Sequence, residues 1–152
     1  RALTVSVARM TAPRTRPTSA AGRPARGTRE SRVLALDIGG GGATTIGPVG
    51  TGDNAYGVLL KGAVLGSGVY DGVNGTAIRV GQAGGGTTTL AGGLRLTAGA
   101  SVDANSFEGD ATSILFNAGA TAPELRNEGR ISAVSQSEGT KSAVAVLIDS
   151  GA

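Results

Sequence analysis

The sequence predicts an all-β fold of the parallel β-solenoid type, and three observations carry that prediction. From Val33 onward, short apolar runs alternate with Gly, Asn, Asp, Ser and Thr, and no window of eleven or more residues keeps the apolar spacing of a helix. The segment ATSILFNAGA at 111–120 matches AVAVLIDSGA at 143–152 without a gap, an offset of 32 positions. Gly makes up 27 of 152 residues while aromatics are 3%. Such a chain cannot fill a wide core with large rings, but it can fill a thin interior in which each coil is covered by its neighbours.

Taken in order, residues 1–32 hold eight Arg against Glu30 alone, together with Pro13, Pro17 and Pro24. They are expected to be a disordered Arg/Pro/Thr-rich leader or linker, because so little apolar surface cannot offset the entropy of ordering. The remainder, 33–152, carries six Lys or Arg against ten acids. The overall charge of +3 therefore comes from the leader, and the expected folded part is acidic, which with spaced arginines and few aromatics argues against a nucleic-acid partner.

Strands are expected at 33–38, 56–60, 77–80, 87–90, 94–97, 112–116, 129–133 and 143–148. Two weaker copies of the 111–120 segment are read at 55–63 (AYGVLLKGA) and 76–84 (TAIRVGQAG), making Val58, Ile78, Ile114 and Val146 equivalent at steps of 20, 36 and 32. The 36-residue step leaves room for one unrecognised coil. At roughly 20 to 30 residues per coil the region holds about four to six coils. Gly and Asn mark the corners, with Asn54, Asn74, Asn105, Asn117 and Asn127 candidates for partial side-chain ladders. The rival is an antiparallel sandwich, which has no reason to produce an ungapped repeat at an offset of 32.

A second pattern, Leu125-Arg-Asn127-Glu-Gly129-Arg-Ile131, is echoed by Leu94 to Val102. With the GTKSAVAVLIDSGA segment that follows, this LxNxGxI signature resembles the passenger region of Gram-negative autotransporter adhesins, and it is similar to filamentous haemagglutinin-type repeats. The resemblance covers 109–152 in motif residues and about 50–120 in texture. It implies a right-handed parallel β-helix, exported and then moved across the outer membrane by a translocator β-barrel encoded downstream. The chain begins without Met and ends at Gly151-Ala152 inside the repeat pattern, so the expectation is a fragment, truncated at the C-terminal end of the β-helix region.

The chain has no Cys and no His, which removes disulfides, thiol nucleophiles, CxxC and HExxH metal sites and the Ser/His/Asp triad. Val33-Leu-Ala-Leu-Asp37-Ile-Gly39-Gly-Gly-Gly42-Ala-Thr44 resembles the first phosphate loop of sugar kinases and actin-like ATPases, where glycines admit backbone N–H groups to phosphates. The helices and second nucleotide loop of those enzymes have no counterpart downstream, so the segment reads first as a strand and a Gly-rich corner. Gly81–Gly86 and Gly92–Gly93 lack the order of a nucleotide cradle. Asp71, Asp103, Glu108 and Asp110 lack calcium-loop order, although Glu108 and Asp110 are a carboxylate pair of the kind glycoside hydrolysis uses.

The expected function is accordingly that of a structural or adhesive passenger, secreted or displayed on the Gram-negative cell surface. No catalytic, cofactor-binding or metal-ligating residue is assigned, and no transmembrane segment is expected in this chain. Its partners would be a host surface or a neighbouring bacterial cell, met through weak multivalent contacts. A carbohydrate-active β-helix enzyme, either polysaccharide lyase or hydrolase, is the alternative, and phosphate binding through Asp37–Gly42 stands behind it.

Overall fold

A computed structural model describes residues 31–152. The leader expected at 1–32 lies outside the described residues except for its last two, and Arg32 opens the first strand. The strands are β1 (Arg32–Ile38), β2 (Thr44–Ile46), β3 (Val58–Leu60), β4 (Ala63–Asp71), β5 (Asn74–Val80), β6 (Thr88–Leu90), β7 (Leu94–Leu96), β8 (Ser101–Phe107), β9 (Ala111–Phe116), β10 (Ala120–Thr121), β11 (Leu125–Asn127), β12 (Arg130–Gln136) and β13 (Ala143–Ile148). A three-residue 3-10 turn at Gly52–Asn54 is the only helical element among the described residues.

Each of the strands β1 to β9 pairs in parallel with the strand four places further along the chain. The result is four sheets, β1-β5-β9-β13, β2-β6-β10, β3-β7-β11 and β4-β8-β12. This all-β, all-parallel arrangement is consistent with a solenoid-like fold and is incompatible with the antiparallel sandwich, whose neighbours run in opposite directions. Among the described residues, the only antiparallel contact is the isolated bridge Val49–Tyr56, which closes the loop carrying the 3-10 turn.

The strand register bears out the strongest repeat and corrects the weaker ones. Ala111 faces Ala143, Ile114 faces Val146 and Phe116 faces Ile148, as the ungapped match requires. Ile78 faces Ile114 directly, so the 36-residue step contains no hidden coil. Its extra strands are β6, β7 and β8, which supply the other three sides of one four-strand pass. Val58 is not equivalent to Ile78: it faces Leu94 in a different sheet, and Leu36 holds the position assigned to it. The repeat is also longer than 20 to 30 residues. Positions Val33, Gly75, Ala111 and Ala143 follow one another down a single sheet, so successive passes take 42, 36 and 32 residues. The described residues hold three four-strand passes and one further strand.

Alternation within each strand sends one side chain in and the next out. The inward columns match aliphatic with aliphatic: Leu36, Ile78, Ile114 and Val146; Ile46 and Leu90; Val58, Leu94 and Leu125; Leu60 and Leu96. Ile78, Leu90, Leu94, Leu96 and Ile114 are fully buried, each contributing about 1.5–3 kcal/mol of apolar transfer energy.

Against β5 and β9 lies a different interior, lined by Gly66 and Gly68 of β4, Ala104 and Ser106 of β8, and Ala133 and Ser135 of β12. A Cβ on Gly66 would overlap the Thr76 carbonyl, and one on Gly75 would overlap the Asn105 carbonyl. Here backbone meets backbone, with serine hydroxyls satisfying what the approach leaves unpaired. Ser135 Oγ donates to the Gly109 carbonyl at 2.7 Å, Ser106 Oγ donates to the same oxygen, and Ser113 Oγ donates to the Ser132 carbonyl.

Candidate functional site

The side chains that gather charge and an open cleft lie on the outer face of the β3-β7-β11 sheet. Leu59, Arg95 and Arg126 occupy one outward column, since Leu59 faces Arg95 and Arg95 faces Arg126. The Arg95 guanidinium reaches both neighbouring passes. One nitrogen donates to the Asp53 carbonyl at 2.5 Å and Asn54 Oδ1 at 2.9 Å, and the other donates to the Glu128 carboxylate at 3.1 and 2.8 Å. The same guanidinium stands 5.9 Å from the Tyr56 ring centroid, a cation–π distance.

Tyr56 is buried and donates its hydroxyl to Glu124 Oε2 at 2.9 Å. Arg126 pairs with Glu128 at 2.8 Å. Its guanidinium is held above its ordinary range, first by a hydrogen bond to the Tyr56 oxygen and then by the Glu128 charge. Glu128 is held below the ordinary carboxylate range, chiefly by its hydrogen bond from Arg95, with partial desolvation opposing and the charges of Arg126 and Arg95 assisting.

Two local features open the surface beside this network. The Val49–Tyr56 bridge lifts the 3-10 turn, with Asp53, over the sheet edge. Gly92 and Gly93 turn the corner between β6 and β7 with φ of 77° and 88°, and a Cβ on either would overlap the carbonyl of Ala55 or Glu124. The cleft between them has a volume of about 470 Å³ and is lined by Gly52, Asp53, Ala55, Tyr56, Gly92, Pro123, Glu124 and Arg126. Among the described residues, neither Asp53 nor Glu124 lies within ion-pair distance of a cation. The cleft therefore offers two uncompensated carboxylates as acceptors and the part-exposed guanidinium of Arg126 as donor.

The residues singled out in the sequence are elsewhere. Asp37 lies on the outer face of β1, and its carboxylate accepts from Arg79 Nε at 2.9 Å and from a second nitrogen of the same guanidinium. Gly39 forms the corner after β1 with φ 103°, followed by the loop Gly40–Gly42. Glu108 and Asp110 both sit in the β8–β9 turn and tie it to the 137–142 loop: Glu108 accepts from Ser137 Oγ at 3.0 Å and the Glu138 N–H at 3.2 Å, while Asp110 accepts from the Ser142 N–H and Oγ at 2.9 and 3.1 Å. Asp103 pairs with Arg130 at 2.8 Å. No group of three or more acidic residues able to hold a metal ion occurs among the described residues.

The asparagines do not form one ladder. Asn74 Oδ1 accepts from the Asp110 N–H at 2.8 Å and Asn117 Nδ2 donates to the Gly81 carbonyl at 2.8 Å, both bridging adjacent passes. Asn54 accepts from Arg95, and Asn127 accepts locally from the Gly129 N–H at 3.0 Å.

Sequence reasoning missed Tyr56, Arg95, Glu124, Arg126 and Glu128, although the alignment of Leu94-Arg95 with Leu125-Arg126 already placed the two arginines in one column. Comparison with family models, with curated proteins and with solved structures finds no match for this chain. Among the described residues, no helix is long and apolar enough to cross a membrane.

Proposed function

We propose that the chain is a right-handed parallel β-helix module of the autotransporter passenger type, serving as a stalk or adhesive segment without a reaction centre. The observation that carries the reading is the unbroken pairing of each strand with the fourth one on, in four sheets, with like side chains stacked inside. Stacked passes give an elongating body whose outer columns repeat, so that weak contacts multiply along it. In this reading the protein is secreted or held at the Gram-negative surface after passage through a translocator barrel encoded downstream, and it meets a host surface or a neighbouring cell. The test is to fuse the chain to such a barrel and score surface exposure and cell-to-cell adhesion. Export followed by adhesion above that of the barrel alone is expected; failure of both overturns the reading.

One observation favours the carbohydrate-active enzyme as a second reading. Asp53 and Glu124 face the same cleft, and two carboxylates flanking a substrate are the minimal equipment for glycoside hydrolysis. Release of reducing ends or of unsaturated products from plant and bacterial polysaccharides would support it, and its absence across a polysaccharide panel would remove it.

A further inference from the structure

We propose that the cleft bounded by Asp53, Tyr56, Glu124 and Arg126 is a binding site for neutral saccharide, the contact point through which the module adheres. This rests on the adhesive reading above and names the chemistry of its ligand. The inference follows from what the cleft wall presents. Asp53 and Glu124 have no cationic partner among the described residues, and Tyr56 satisfies only Oε2 of Glu124. A ligand must therefore bring hydrogen-bond donors. Arg126, whose side chain is 41% exposed, uses part of its fork on Glu128 and keeps further N–H groups for an acceptor.

A simple anion would supply the acceptor and be repelled by two carboxylates, whereas a simple cation would supply donors to the carboxylates and leave the remaining N–H groups of Arg126 without an acceptor. An apolar ligand would cover the Asp53 carboxylate, the free oxygen of Glu124 and the remaining N–H groups of Arg126 without giving them hydrogen-bond partners, which is unfavourable. Hydroxyl groups on adjacent carbons satisfy both sides, since each is a donor and an acceptor at once. The size fits as well: about 470 Å³ lies within the range of roughly 300–1,000 Å³ for small-molecule sites. The Arg95–Glu128 clamp and the Tyr56–Glu124 bond hold the cleft floor in place before a ligand arrives, which lowers the ordering cost of binding.

The test titrates the intact chain with four neutral tetrasaccharides built from glucose (α-linked and β-linked), galactose and N-acetylglucosamine, with tetragalacturonate and tetralysine as charged probes. At least one neutral probe is expected to bind at millimolar concentration or below, weakened about ten-fold by Asp53→Asn and by Glu124→Gln, the scale of one lost charge-assisted hydrogen bond. Asp53→Asn lies on an exposed turn and leaves the Tyr56 bond intact, so its thermal unfolding should match that of the parent. Asp71→Asn, outside the cleft, should bind as the parent does. No binding of any neutral probe, equal binding by the cleft variants, or binding of only the charged probes overturns the proposal. Adhesion of the barrel fusion that survives in both cleft variants overturns the saccharide site while leaving the adhesive reading standing; loss of export and adhesion by the parent overturns that reading itself.

Discussion

The two interiors of this molecule solve the same problem by opposite means. Around β6 and β7 the space is filled by Leu90, Leu94 and Leu96, packed on Ile78 and Ile114. Between β4 and β5 it is closed, with Gly66, Gly68 and Gly75 letting strands approach until carbonyl oxygens stand where a Cβ would be. The aliphatic side tolerates a lost methyl group as a cavity, whereas the glycine side has nothing to give when a methyl group is added. Much of the high glycine content belongs to this closure and to the corners, and the scarcity of aromatics reflects how thin the interior is.

The largest effect should fall on the glycine side. Gly66→Val is expected to prevent folding, and even Gly66→Ala should destabilise by more than about 3 kcal/mol, because the obstructing atom is the Thr76 backbone carbonyl and cannot swing away. Denaturant unfolding checks this, and an Ala variant within 1 kcal/mol of the parent, a margin of about that size being the ordinary cost of a tolerated core swap, would break the distinction. Leu94→Ala comes next, at about 2–5 kcal/mol, with a folded but less stable protein.

Asn117→Ala should cost about 1–3 kcal/mol, since the Gly81 carbonyl loses its buried donor at a corner where two passes meet. Asp37→Asn weakens a pair at the surface with Arg79, and a change of about 0–1 kcal/mol is expected in the same measurement.

Acid should act through the outer face of the aliphatic side. Glu128 has its folded pKa depressed by the Arg95 hydrogen bond, so its contribution is complete above the unfolded value and disappears as pH falls through the folded one. Thermal stability followed downward from neutral pH should begin to fall near the ordinary carboxylate value of about 4.3. Glu128→Gln should flatten that part of the profile, and an unchanged slope would remove Glu128 from the account.

The same contrast explains what could be read from the amino-acid order. The strands β1, β5, β9 and β13 announce themselves through runs such as VLALDI and AVAVLI, and their register follows from the 111–120 and 143–152 match. The strands β4 and β8, AVLGSGVYD and SVDANSF, escape notice because each sends a single valine inward, Val64 or Val102, and its other inward residues are Gly, Ala and Ser, which carry little apolar signal. Val58 was misaligned because VLL in β3 resembles the aliphatic runs of the neighbouring side. The cleft is harder still to read. Asp53, Arg95 and Glu128 come from three passes of unequal length, so no fixed spacing joins them, and Asp53 meets Arg95 through its backbone carbonyl.

The central claim is the parallel register itself, and the absence of native Cys makes it directly testable. Asn105 and Val134 are exposed partners on β8 and β12, whereas Ala133 faces the interior opposite Ala104. Mild oxidation of Asn105→Cys/Val134→Cys should form an intramolecular disulfide, and Asn105→Cys/Ala133→Cys should not, because a one-residue shift moves the thiol to the other face. Cross-linking of the second pair, or of neither, would contradict the account.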